Sequence, residues 1–320
     1  MPVEYEKKGH VAIITMNRPE ARNAINGEMA ATMEAALDQM ESDPEVWVGI
    51  LTAVGKAFCA GADLKEISAG NGAALSTKKG GFAGIAKRER TKPLIAAITG
   101  SALAGGTEVA LSCDMIICAE DTNFGLPEVK RSLVAAAGGL FRLPRVIGKA
   151  MAMEVILTGD PLPAQRAYEL GMVNKVAPEA DVMAEAEKLA ARITANAPLA
   201  VAASRSVVVD ASSKTDDELW KDSGKAFGKI VGTEDFKEGP KAFIEKRAPV
   251  WKGNFTPSSP ACGGGAECNE AGGNTKAHVS CFDFVQHERY GSAARTRLIL
   301  SEVQGWSGRG RHPPRLNRLG

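Results

Sequence analysis

Two glutamates, Glu108 and Glu128, have the chemistry and the setting for proton transfer. Glu108 lies in SALAGGTEVALSCD (101–114), a largely apolar stretch. Burial there penalises the charged form and raises the carboxyl pKa toward the range useful for general acid–base catalysis. Gly105 and Gly106 precede it, where the chain is expected to turn from strand to helix. Glycine permits close backbone approach, and a helix start offers N–H groups to a developing anion. A helix beginning at Gly105 puts Gly105 and Glu108 on one face. Glu128 follows Pro127 in FGLPEVKRSL (124–133), ahead of an apolar, glycine-containing segment. The third element is KAFCAGADLKE (56–66). Its small residues Ala60, Gly61 and Ala62 let a ligand reach the backbone, Asp63 opens a helix, and the Ala62 N–H is a candidate second donor.

Each element also has a plainer reading. Glu108 is equally a glutamate bonded to nearby backbone at a capped helix start. Pro127-Glu128 is an ordinary first turn with an acid in it, and Asp63 an ordinary cap at a loop-to-helix junction. Rival chemistries have less to draw on. Of the four histidines only His10 precedes the last 65 or so residues, and it falls in an expected turn, so a Ser-His-Asp or Cys-His mechanism lacks its base. No P-loop occurs, and no G-x-G-x-x-G follows a strand.

The elements that must position these residues alternate between strand and helix. Segments 3–8 and 11–16 read as a hairpin about Gly9-His10. Met29, Met33, Ala36, Leu37 and Met40 fall at helical spacing. Segments 46–52, 94–99 and 115–119 read as compact apolar strands, with a helix over 107–113. Alternating strands and helices predict an α/β sheet. From about Pro144 the pattern turns helical, with candidates at 149–157, 164–170, 180–195, 199–209, 217–231 and 237–246. These readings divide the chain into an α/β core over 1–195, a helical lobe over 196–255 and an extension over 256–320.

The chain has 320 residues, 44% of them hydrophobic, with 39 Lys/Arg against 38 Asp/Glu. This balance points to neither nucleic acid nor membrane as a partner. No apolar run approaches the roughly 20 residues of a membrane span. The N-terminal MPVEYEKKGHV lacks the pattern of a secretory signal, and six unpatterned cysteines are expected as free thiols, so a cytoplasmic protein is expected. The extension holds eight Lys/Arg and five Asp/Glu, leaving 31 and 33 in the rest. It carries Cys262, Cys268, Cys281, His278, His287 and His312 without zinc-ligand spacing, and its composition predicts disorder and no metal site.

The motifs NRPEARNAI (17–25), FCAGADLKE (58–66), KPLIAAITGSALAGGTEVALSCDMIIC (92–118), FGLPE (124–128), AGGLFRLPRVIG (137–148) and LTGDPLPAQRAYELGMVNKV (157–176) together resemble the enoyl-CoA hydratase/isomerase, or crotonase, superfamily. The resemblance runs on to EGPKAFIEKRAPVWKG (238–253) and does not enter the extension. It implies an α/β spiral of ββα units with a C-terminal helical trimerisation lobe, assembled as a homotrimer or a dimer of trimers. It implies an oxyanion hole made by the N–H groups of Ala62 and Gly105 on the thioester carbonyl. The acyl-CoA substrate would lie along Ala60, Gly61, Ala62, Asp63, Leu64 and Lys65, with Arg22 and Ala24 nearby. No metal or redox cofactor is implied, since coenzyme A is part of the substrate. Glu108 is assigned to the water that attacks C3, and Glu128 to proton delivery at C2.

Isomerases of this superfamily often keep only the glutamate of the x-P-E segment, so the presence of both favours hydration of a 2-enoyl-CoA in fatty-acid or other acyl-CoA metabolism. Double-bond isomerisation, a dehydratase resembling carnitinyl-CoA dehydratase, and a silent acyl-CoA-binding protein are the alternatives. One departure stands out: many hydratases carry Pro-Gly-Ala-Gly-Gly-Thr-Gln-Arg where this chain reads Val134-Ala135-Ala136-Ala137-Gly138-Gly139-Leu140-Phe141-Arg142. That change bears on the acyl pocket more than on the chemistry. Segment 68–81 is expected to form a mobile wall of the same pocket.

Overall fold

The N-terminal hairpin forms as expected. Strands Val3–Lys8 and Val11–Met16 pair antiparallel from Val3 opposite Met16 to Lys8 opposite Val11, with Gly9 at φ 57° in the turn. The computed structural model describes residues 1–256, so the readings of residues 257–320 as a disordered, metal-free extension lie outside the described residues. Beyond the hairpin the chain adds parallel strands Val48–Ala53, Leu94–Ile98, Met115–Ala119 and Lys175–Ala177, giving a six-stranded sheet in that order.

Strand Leu94–Ile98 is buried at every residue because helices cover both faces of the sheet. On one side Ile50, Ile95, Ala97 and Ile117 pack with Val182, Ala186 and Ala190 of helix Val182–Thr194. On the other, Leu51, Leu94, Ala96 and Ile98 pack with Met29, Met33, Leu37 and Met40 of helix Gly27–Ser42. The methionines read from the sequence as one helix face are therefore its core face.

A second sheet was not legible from the residues. Its strands are very short: Ala57–Cys59, Ser101–Leu103 and Asn123–Gly125 run parallel, and Leu162–Pro163 closes the edge antiparallel. Each parallel strand follows closely on a strand of the large sheet and precedes a helix or helical turn: Leu64–Ser68, Gly105–Ala110 and Pro127–Arg131. These are the expected ββα units. The three segments singled out by their chemistry thus leave three adjacent strands in the same direction. Helix Gly139–Ile147 then follows, although Pro144 lies within it.

Asn23 fixes the first of these exits. It is fully buried, and its Nδ2 donates to the carbonyls of Val54 at 2.9 Å and Ala57 at 2.8 Å. Its Oδ1 accepts from the Arg18 N–H at 2.8 Å. Residues 196–255 are helical, with Pro198–Asp210, Asp216–Val231 and Glu234–Glu245. Arg205 ties the first of these helices to Asp114 beside the sheet, at 2.8 Å. No helix among the described residues is long and apolar enough to cross a membrane.

Replacing Asn23 by alanine removes the partner of two part-buried carbonyls and one N–H. The Asn23→Ala variant should lose about 2–4 kcal/mol of unfolding free energy, read from its urea midpoint. A midpoint within error of the parent would contradict this role.

Candidate active site

The exits of the three short strands open on one cavity of about 1120 Å³. Ala62, Gly105, Glu108 and Glu128 line it together, as do Arg22, Ala24, Ala60, Asp63, Leu64 and Lys65. Of the anticipated residues only Gly61 stands back from the lining, and its place explains its identity. With φ at +94°, a Cβ on Gly61 would lie 2.8 Å from Ala104 Cβ and 2.9 Å from the Gly105 nitrogen. No side chain fits between them, so two stretches of main chain come into contact. Behind them a Cβ on Gly106 would lie 2.1 Å from the Cys59 carbonyl oxygen.

Ala62 and Gly105 therefore present their backbone to one space from two ββα units. Among the described residues neither N–H donates to a protein acceptor. Ala104 turns the chain at this point with φ 53° and ψ −128°, a conformation that costs an alanine about 1–3 kcal/mol. Thr107 anchors the turn from below: its Oγ1 donates to the Ala102 carbonyl at 2.6 Å and accepts from the Gly125 N–H at 3.0 Å, joining two of the short strands.

Glu108 is only 3% exposed. Burial raises its pKa, opposed by the N–H groups of Gly139 and Ala137 and by the Arg142 charge. The Gly139 N–H donates to Oε1 at 2.9 Å. Glu128 lacks comparable support: its Oε2 is buried and without a hydrogen-bond partner among the described residues. Burial, and then the negative charge of Glu108, push Glu128 up to about 7. The two carboxyls are thus held in unequal environments.

Asp63, in the cavity lining, also has a local task. Its carboxylate caps helix Leu64–Ser68 through the Lys65 N–H at 3.0 Å and pairs with Arg18 at 2.8 Å. Arg18 also donates to the Ala24 carbonyl at 2.9 Å, tying loop 17–25 to the Ala62 segment. Arg18, Phe82, Lys87, Arg131 and Leu133 line the cavity as well and were not singled out from the sequence. Arg18 sits inside the quoted motif NRPEARNAI, which was the one available signal.

Segment 68–81, expected as a mobile wall, does line the cavity, and its C-terminal part is hydrogen-bonded to helix Gly27–Ser42. The Glu34 carboxylate accepts from Thr77 Oγ1 at 2.5 Å and the Gly80 N–H at 2.7 Å. His10 lies outside the cavity lining, stacked 3.6 Å from the Trp47 ring. Burial pushes the Cys59 thiol up to about 12, far from a nucleophile's range.

Stacked ββα units thus bring two N–H groups, without protein acceptors among the described residues, and two carboxyls in unequal environments to the lining of one cavity. The comparisons with known proteins agree. The enoyl-CoA hydratase/isomerase family model matches residues 6–254, and the chain belongs to that family. It is 40% identical to the carnitinyl-CoA dehydratase of Salmonella typhi over 253 residues, 77% of this chain and 97% of that protein. It is also 40% identical to the enoyl-CoA hydratase EchA19 of Mycobacterium tuberculosis over 250 residues, 76% of this chain and 94% of the relative. A solved enoyl-CoA hydratase from Mycobacterium tuberculosis H37Rv superposes with a TM-score of 0.76 at 45% identity, covering 79% of this chain and 99% of that one. The crotonase fold is therefore present.

The Glu128 pKa carries a stability consequence. A folded value near 7 lies above the ordinary 4.5, so between them the folded chain binds more protons than the unfolded one. Stability then falls as pH rises through this window. Glu128→Gln should melt above the parent at pH 8, with the gap closing at pH 5. Equal gaps at both pH values would contradict the raised pKa.

Proposed function

We propose that this protein is an enoyl-CoA hydratase that adds water across the double bond of a 2-enoyl-CoA, in fatty-acid or other acyl-CoA metabolism. The observation that carries this reading is the pairing of Glu108 and Glu128, in unequal environments, in the cavity lined by Ala62 and Gly105.

In the proposed reaction the thioester carbonyl accepts hydrogen bonds from the Ala62 and Gly105 N–H groups. Charge that develops on this oxygen as C3 is attacked is met by donors already in place, each typically contributing a few kcal/mol. Glu108 is the base: the N–H groups of Gly139 and Ala137 and the nearby guanidinium favour its ionised form. It takes a proton from water as the oxygen bonds to C3. Glu128, with its higher pKa, holds a proton and delivers it to C2 on the same face. Each turnover leaves the proton on Glu108 and the charge on Glu128, so the same pair runs dehydration in reverse.

The coenzyme A portion is proposed to lie along residues 60–65, with Lys65 and Arg22 facing its phosphates. A silent acyl-CoA-binding protein would have no use for two carboxyls so expensive to bury. Val208, Trp220, Phe243 and Ile244 on the C-terminal helices are 72%, 71%, 85% and 78% exposed in the single chain, which supports a homotrimer or dimer of trimers. Buried free thiols at Cys59 and Cys118 support a cytoplasmic setting.

With crotonyl-CoA as the probe, the parent should bleach the absorbance of the conjugated enoyl thioester. Glu108→Gln and Glu128→Gln should each slow this by about 10²- to 10⁴-fold, with circular dichroism unchanged. A rate within twofold of the parent in either variant would remove that residue from the mechanism.

A further inference from the structure

Three segments meet at the half-buried guanidinium of Arg142 in helix Gly139–Ile147. Its Nη1 donates to Ser112 Oγ at 2.9 Å and to the Ala137 carbonyl at 3.4 Å. Its Nη2 donates to the Ala86 carbonyl at 2.7 Å. Ser112 Oγ in turn donates to the main-chain carbonyl of Glu108 at 2.7 Å. The same helix opens with the Gly139 N–H on Glu108 Oε1, at 2.9 Å. One helix therefore grips Glu108 twice: its carboxylate through the first N–H, its backbone through Arg142 and Ser112. Ala86 and Ala137 both line the cavity, so the guanidinium also fixes two of its walls.

The charges around this point are unequal. Glu108 faces Arg142 from helix Gly139–Ile147 and Glu128 from the turn Pro127–Arg131. Arg142 itself also faces Arg90, Arg145 and the Cys113 thiol, which burial keeps neutral. Glu128 has Arg131 and the repelling Glu108. The Gly139 and Ala137 N–H groups, and after them the Arg142 guanidinium, favour the Glu108 carboxylate against its burial.

We propose that Arg142 is a positioning residue for the glutamate pair: through Ser112 and the start of its own helix it fixes Glu108 in place, and its charge adds to the N–H groups that favour the Glu108 carboxylate. The inference rests on the hydration reading above. Arg142 itself transfers no proton. Loss of the cation disfavours the Glu108 carboxylate, so its titration moves up and the pair takes a second proton at higher pH.

Arg142→Met keeps the bulk and removes the charge and the donors. Its kcat with crotonyl-CoA should fall about 10- to 100-fold with KM little changed. The acidic limb of its kcat/KM profile should move up by about one pH unit. Infrared titration of the Glu108 carboxyl, isolated by difference against Glu108→Gln, should move up likewise. Arg142→Lys, which keeps the charge without the planar fork, should return that titration to its parental position and recover only part of kcat. A merely structural role would lower the melting temperature and leave both the acidic limb and the infrared titration in place, and that result overturns the proposal. Should the parent hydrate no enoyl-CoA, the hydration reading fails on its own. The infrared titration then still decides Arg142: an unmoved Glu108 overturns the proposal and an upward move supports it. Where Arg142→Met does not fold, Arg142→Gln, neutral but still able to donate to Ala86 or Ser112, is read in the same way.

Discussion

Gly61 and Gly105 bring two stretches of main chain closer than any side chain would permit, and the rest of the structure is arranged around that contact. The Gly61 position has room for no Cβ, with the Gly105 nitrogen 2.9 Å from where one would stand. The proposed convergence of the Ala62 and Gly105 N–H groups on one oxygen depends on this approach. The small sheet exists to create it, since the exits of its parallel strands lie side by side and point the same way. The large sheet and its two helical layers supply the apolar burial that such short strands cannot supply alone.

Such a site is costly to maintain. Two N–H groups are left without protein acceptors among the described residues, Ala104 is strained, and two carboxyls are withdrawn from water. Polar contacts in the layer beneath oppose these costs: Asn23 across the first exit, Thr107 between the second and third, and Arg18 with Asp63 beneath the Ala62 loop. Sites that bind charge in a transition state commonly carry such strain, which the surrounding structure over-determines. Glu128 shows it most plainly, because the raised pKa that would suit the proposed proton delivery also destabilises the fold above neutral pH.

Much of this was legible in the residues. The apolar runs at 94–98 and 115–119 and the methionine periodicity of helix Gly27–Ser42 come from burial patterns that any α/β sheet imposes. Glu108 could be read because a carboxylate inside SALAGGTEVALSCD has few places to go except a buried site. Glu128 could not be read alone, since Pro-Glu opens many helices; only its order after the other motifs made it a candidate. The small sheet was hidden because strands of three residues carry no periodicity. The tasks of Asn23 and Arg142 were hidden because each joins segments far apart in the chain, and so was the Arg18 partner of Asp63, whose capping role could be read from its place before a helix. The family explains why the motifs share an order, while the contacts explain why each residue is needed.

The central claim is that Glu108 and Glu128 share one proton, and the most direct test is kcat/KM against pH in both directions, hydration of the enoyl thioester and dehydration of its hydroxyacyl product. No net proton is exchanged with solvent, so both profiles must report the same singly protonated pair. The account predicts superimposable bells whose alkaline limb falls at about 7, where Glu128 loses its proton. A profile that stays flat across that pH, or an alkaline limb that persists unchanged in Glu128→Gln, would contradict it.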